Sequence, residues 1–243
     1  MFLKITEKKR YLIEYHKKES YKNMKYKAII FDMDGTIVDT EKLWHKAGHI
    51  LIERRGIVVT PDLKAELKIR LNGLALYESC TAIKNLTGLT EPVEQLIEEK
   101  RAIALDLYRE GISFITGFEE FHRKVTRQSL KQAIATNADE PTIKKTNDSL
   151  NLVRFFGKHI YGISTVNFVC KPNPAIYMHA AGRLGVKPEE CIAVEDSAFG
   201  IEAARSAGMK CIGINSGGDK ERLSRADYIV DNYHEIDMQH ILS

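Results

Sequence analysis

The chain has 243 residues, 44% of them hydrophobic and 28% charged, with a formal net charge of +3. This is an ordinary globular composition, with room for one large domain or for a core of about 150 residues and a smaller insert. No apolar run approaches the roughly 18 residues that a membrane-spanning helix needs, and Cys80, Cys170, Cys191 and Cys211 form no Cys-x-x-Cys pair, which argues against a zinc site or a disulfide framework.

Residues 1–27 carry nine lysines or arginines against three glutamates. Such an arm can bind nucleic acid or acidic lipid, but it shows no repeated basic-aromatic pattern, so 1–26 reads as a basic N-terminal extension. Neither nucleic acid nor membrane is expected as a partner, and no oligomer is indicated. Lys and Glu interrupt these residues throughout, which reads against a secretory signal. Together with the widely spaced cysteines, expected as reduced thiols, this points to a cytoplasmic protein.

The first strand signal is Lys27-Ala28-Ile29-Ile30-Phe31, followed at once by Asp32-Met33-Asp34-Gly35-Thr36. Period-two geometry sends both carboxylates out of the strand on one side, with Cα atoms about 6 to 7 Å apart. Two acids that close repel unless a cation lies between them or one keeps its proton. The plainer alternative is an Asp-rich turn closed by Asp34-Gly35. After Asp39 the pattern becomes helical, with Thr40 as N-cap and Gly56 as stop for a helix carrying Leu43, Ala47, Ile50 and Leu51. Further helices are expected near 62–71, 75–86 and 92–109, with no strand between them, so 40–112 reads as an all-helical insert. His45 and His49 have the spacing of a metal pair but no partner Glu or third ligand, and read as packed or solvated.

From Gly117 the chain alternates helix and strand. Strands are expected near 131–136, 159–163, 191–195, 210–214 and 228–230, with helices near 118–128, 140–150, 174–184 and 198–207 between them. A βαβα series of this kind predicts a parallel sheet with helices on both faces, its functional groups at the carboxyl ends of the strands. Those ends hold Asp32 and Asp34, Thr136 and Asn137, and Glu195 and Asp196, with Lys171 in the loop Cys170-Lys171-Pro172-Asn173-Pro174. Carboxylates without His or Cys partners suit a hard cation, Mg²⁺ rather than Zn²⁺. Lysine, hydroxyl and amide donors suit an anion with several oxygens, so a phosphoryl group bridged to Mg²⁺ fits both halves. In that arrangement one carboxylate attacks phosphorus and the other serves the leaving oxygen as acid. Taken singly, Thr136-Asn137 also reads as a helix N-cap and Lys171 as a solvated loop charge.

Asp32-Met33-Asp34-Gly35-Thr36, Ala135-Thr136-Asn137, Lys171-Pro172-Asn173-Pro174 and Val194-Glu195-Asp196-Ser197-x-x-Gly200 resemble, in order and spacing, the four motifs of the haloacid dehalogenase (HAD) superfamily. The run from Glu195 to Met209 is similar to its β-phosphoglucomutase-like phosphatase branch, and the likeness covers about residues 26–235. It implies a doubly wound, Rossmann-like α/β core, 27–39 and 113–243, with the helical insert 40–112 as a cap. By the same resemblance Asp32 is the nucleophile and Asp34 the general acid and base, while Thr136, Asn137 and Lys171 hold the phosphoryl group. Mg²⁺ is then held by Asp32, Asp196 and the backbone carbonyl of Asp34, with Glu195 a ligand or a partner behind the ligands. One departure is Ala175, where the lysine loop often carries an acid.

The expected activity is a Mg²⁺-dependent phosphatase of small phosphorylated metabolites, a sugar phosphate or a nucleotide-related phosphomonoester, acting through an aspartyl phosphate. A mutase would share the whole site. In that branch a cap histidine stands four residues after the equivalent of Thr40, where this chain has Trp44. A dehalogenase has no need of Asp34, and an inactive regulatory relative would have lost one of the acids or Lys171. Substrate choice is expected from the cap, through Trp44, Arg70 and Gly73.

Overall fold

The computed structural model describes residues 24–242. Most of the basic extension expected at 1–26 therefore lies outside the described residues. Six strands, β1 (Ala28–Phe31), β2 (Lys131–Ala135), β3 (Ile160–Tyr161), β4 (Cys191–Glu195), β5 (Lys210–Ile214) and β6 (Tyr228–Val230), form one sheet in the order β3-β2-β1-β4-β5-β6. Every pairing is parallel. The sheet grows in one direction from β1 to β3 and in the other from β4 to β6, so the crevice for a ligand lies above β1 and β4.

Alternation along the strands sorts side chains by size. Ile29, Phe31, Ile134, Ile192 and Val194 face one side, where α5 (Phe118–Arg127) and α7 (Val153–Phe156) bring Phe118, Phe121 and Phe156. Phe31 meets the Phe118 and Phe156 rings edge-on at centroid distances of 5.9 and 5.7 Å. The other side is built of Ala28, Ile30, Ala133, Ala135 and Ala193, small enough for α8 (Ala175–Leu184) and α9 (Ala198–Ser206) to pack close. Helix α6 (Glu140–Leu150) begins at Asp139, whose carboxylate accepts from the Thr142 backbone N–H. A short terminal helix, α10 (Met238–Leu242), completes the chain.

Between β1 and β2 run α1 (Glu41–Glu53), α2 (Pro61–Leu71), α3 (Leu76–Thr87) and α4 (Val93–Leu107). Their inward faces, including Leu51, Ile52, Leu67, Ile83, Leu96 and Ala104, form an apolar cluster separate from the two that flank the sheet.

Two local expectations need correction. Thr40 precedes α1 but makes no side-chain cap, because its hydroxyl donates to Asp34 Oδ1 at 2.5 Å, a half-buried carboxylate that is the stronger acceptor. The strand expected near 159–163 has only two residues, because the chain passes through Gly162 into a tight 3₁₀ turn at Ile163–Val166. Helices α7 and α10, four and five residues long, are too short to show a period in sequence.

Candidate active site

The pairing Phe31↔Val194 sets Asp32 beside Glu195 where β1 and β4 end. The turn after Asp34 then folds back, with Gly35 at φ +80°. A Cβ on Gly35 would fall 2.2 Å from Asp196 Oδ2, so only glycine lets this turn approach the acid. Asp32, Glu195 and Asp196 are all buried, and each offers a carboxylate oxygen within 4.8 Å of the others. Thr36 Oγ1 donates to Asp196 Oδ1 at 3.3 Å.

Lys171 enters this cluster from the loop before α8. Its Nζ lies 2.6 Å from Asp32 Oδ1, 2.6 Å from Glu195 Oε1 and 2.9 Å from the Ala135 carbonyl, so all three ammonium donors are used. Burial works against the ammonium, but Asp32 and Glu195 outweigh it and the Lys171 pKa is raised. Glu195 is fully engaged. Its Oε1 accepts from Lys171 and from Tyr177 Oη at 2.7 Å, and its Oε2 faces the N–H groups of Asp196 and Ser197. On this geometry it anchors Lys171 while staying within the converging group of three acids.

Burial pushes the Asp32 carboxyl up to about 8 despite Lys171, and burial with the Asp32 charge pushes Asp196 well above the usual carboxylate range. Acids so placed want a cation. The donor set is hard oxygen, and the Gly35 turn packs directly on Asp196, so the residues fit Mg²⁺. Asp34 is raised by burial, against hydrogen bonds from Thr40 and Trp44 that favour its anion.

A cavity of about 620 Å³ opens from Asp32, Asp34 and Lys171 toward the helical insert. Thr136, Asn137, Asp196, Trp44 and Gly73 line it. Thr136 Oγ1 accepts from the Ala138 N–H at 3.1 Å, and Asn137 Oδ1 accepts from the Lys171 backbone N–H at 3.0 Å. Asn137 Nδ2 is 3.4 Å from the Gly73 carbonyl, a contact between the strand end and the insert. Gly73 itself, at φ +73°, sits where a Cβ would lie 2.7 Å from Ser197 Cβ.

Arg70 is not in the cavity. Helix α2 buries Leu67 and Leu71, which turns Arg70 outward, where it pairs with Glu66 at 2.9 Å. His45 and His49 join no metal cluster among the described residues. Sequence reasoning missed Tyr177, Thr36, Thr40 and Lys100. The signal for Tyr177 is a phenol on the buried face of α8, which needs a polar partner. Lys100 on α4 gave none, since nothing local marks which face of that helix looks into the crevice.

Residues 29–214 match the family model described as haloacid dehalogenase-like hydrolase. The chain is 32% identical over 187 residues to the phosphorylated carbohydrates phosphatase of Thermotoga maritima, covering 76% of this chain and 83% of that one. A solved HAD hydrolase of family IA, variant 3, from Entamoeba histolytica superposes with TM-score 0.78 at 26% identity, over 89% of this chain and 97% of that one. The β-phosphoglucomutase of Clostridium difficile shares the fold, with TM-score 0.70 at 24% identity, over 89% and 95%. The chain belongs to the haloacid dehalogenase-like hydrolases.

Proposed function

We propose that this member of the haloacid dehalogenase-like hydrolases is a Mg²⁺-dependent phosphatase of small phosphorylated metabolites, sugar phosphates foremost. The observation that carries the reading is the buried set Asp32–Lys171–Glu195, with Asp34 two residues on at the mouth of the cavity. The phosphatase of phosphorylated carbohydrates from Thermotoga maritima, at 32% identity, supports the substrate class.

Lys171 occupies one oxygen of Asp32 and leaves the other to attack phosphorus, forming an aspartyl phosphate as the ester oxygen departs. Asp34, whose pKa is raised, donates its proton to that leaving oxygen and later takes one from the water that cleaves the acyl phosphate. Thr136, Asn137 and Lys171 surround the phosphoryl oxygens, and Glu195 fixes Lys171. Mg²⁺ held by Asp32, Asp196 and the Asp34 carbonyl would draw off negative charge from the transferred group. Helices α1 to α4, the cap of this reading, close the cavity over the substrate and exclude water.

Trp44 favours hydrolysis over a mutase reaction. It stands where the mutase branch has a histidine and lines the cavity beside Asp34, but an indole N–H only donates and cannot carry a proton to and fro. Asp32→Asn is expected to abolish phosphate release from an aryl phosphate in Mg²⁺, and unchanged turnover would overturn the proposal. A panel of sugar phosphates that gave isomerised product and no free phosphate would replace the phosphatase with the mutase.

A further inference from the structure

Near Asp196 stands Arg222, in the 3₁₀ turn Glu221–Leu223 between β5 and β6. Its side chain is 12% exposed. Nη1 donates to Glu41 Oε1 at 3.3 Å, and Nη2 is 3.9 Å from Asp196 Oδ2, beyond hydrogen-bonding reach. Nε and Nη2 are buried without a hydrogen-bond partner. This guanidinium is thus shared between two carboxylates and fully satisfied by neither.

Glu41 belongs to the first turn of α1, in the helical insert. Its Oε1 also accepts from Asn72 Nδ2 at 2.8 Å, next to the Gly73 that touches Ser197 and Asn137. His45 Nε2 lies 3.5 Å away on the same helix. Burial raises the Glu41 carboxyl, but His45 and Arg222 outweigh it and hold it at about 2, so it is an anion throughout the physiological range. Gly217, in the loop after β5, brings its backbone against the pair. A Cβ there would lie 2.2 Å from Arg222 Nη2 and 2.7 Å from Glu41 Oε2. Three separate pieces of chain therefore meet at one buried ion pair, one residue away from the acidic cluster.

We infer that Arg222 is a positioning residue that couples docking of the helical insert to cation binding at Asp196. With Glu41 docked, it holds the guanidinium back and Asp196 keeps its oxygens for a cation. With Glu41 withdrawn, the buried guanidinium has one carboxylate left within reach and closes the remaining gap to Asp196, competing there with the cation. By linkage, a bound cation favours the docked insert to the same degree. The inference rests on the cation reading of Asp196 given above.

The test is Mg²⁺ binding to the full chain without substrate, by titration calorimetry, on the wild type, Glu41→Gln, Arg222→Met and the double variant. Glu41→Gln is expected to weaken Mg²⁺ binding about tenfold, the effect usual for a residue that orients a ligand. Arg222→Met is expected to bind Mg²⁺ as well as the wild type or better, and in that background Glu41→Gln should shift the affinity by less than about twofold. Arg222→Lys retains a cation and should keep part of the Glu41 dependence. Thermal melts in chelator confirm that each variant is folded. Wild-type affinity in Glu41→Gln, weakened binding in Arg222→Met, or additive losses in the double variant would overturn the coupling. A wild-type chain that binds no Mg²⁺ would instead overturn the cation reading, and this inference with it.

Discussion

Two lysines share one cavity and live in opposite electrostatic worlds. Lys171, at the end of the sheet, and Lys100, on α4 of the helical insert, are 5% and 3% exposed. Lys171 meets two carboxylates and a carbonyl, and its pKa is raised. Lys100 meets the Ser79 hydroxyl and lies 6.0 Å from the Trp44 ring centroid, with no carboxylate in contact among the described residues, and burial lowers its pKa to about 8. At the strand ends the chain itself supplies the anions that meet the buried ammonium. The insert keeps a buried cation that meets no carboxylate among the described residues.

The largest way to break this contrast is Lys171→Met. It strands Asp32 and Glu195 as buried carboxylates with no counter-charge, and loss of one partner of such a pair costs about 3–5 kcal/mol. Turnover should fall by more than about 10³-fold, because the phosphoryl group loses a fixed cation and Asp32 loses its orientation. Urea denaturation and single-turnover kinetics check both parts. The stabilising contribution of Lys171 should be full below its unfolded pKa of about 10.4 and fade as pH climbs through its raised folded value. A variant as stable as the wild type would mean that the assembled core is not held by this ammonium.

The difference between the two lysines also marks how far the sequence could be read. The strand-end residues were legible because parallel βαβ topology forces strand termini to one edge, so Asp32, Thr136 and Asp196 come together, and the loop before α8 brings Lys171 to Asp32. All six strands were visible as short apolar runs, although β3 is shorter than its run suggests. The insert obeys no comparable rule. Which face of a helix looks inward depends on packing against its neighbours, so Arg70 was expected among the residues that choose the substrate and is on the surface, while Lys100 went unnoticed. Thr40 shows the same limit on a smaller scale, since a helix cap and a hydrogen bond to the Asp34 carboxylate compete for one hydroxyl.

Lys100→Met should give the opposite sign to Lys171→Met. The pKa falls from 10.5 to about 8 in the folded chain, so the charged form is disfavoured there at about 1.4 kcal/mol per unit. The unfolded chain binds more protons between those two values, so wild-type stability rises with pH across that window. Below pH 8 both states are charged and the cost is fully present. Removing the charge should therefore stabilise the protein by about 1–3 kcal/mol at pH 7, with the gain fading toward pH 10.5. Paired urea melts of the two proteins from pH 7 to 10.5 measure it. A destabilised variant at pH 7 would show that Lys100 has a counter-charge after all.

The smallest expected effect comes from a second ion pair between the two regions. Arg101, one residue beyond Lys100, donates from Nε to Asp139 Oδ2 at 2.7 Å, and Asp139 stands at the start of α6, two residues after Asn137. Both side chains keep 15–18% of their surface, and Arg101 is also paired with the exposed Glu98. Water can take over from either partner, and Asp139 Oδ1 keeps its bonds to the Thr142 N–H and hydroxyl. Arg101→Ala should thus cost only about 0.5–1 kcal/mol, and less still in 1 M salt. Lys100 and Arg101 are neighbours on one helix, so the pair of substitutions sets a buried cation with no carboxylate in contact among the described residues against a part-buried one that has two. If Arg101→Ala proved as costly as Lys171→Met, the contact between insert and sheet would be as tightly assembled as the strand ends themselves, and the contrast drawn between them would fail.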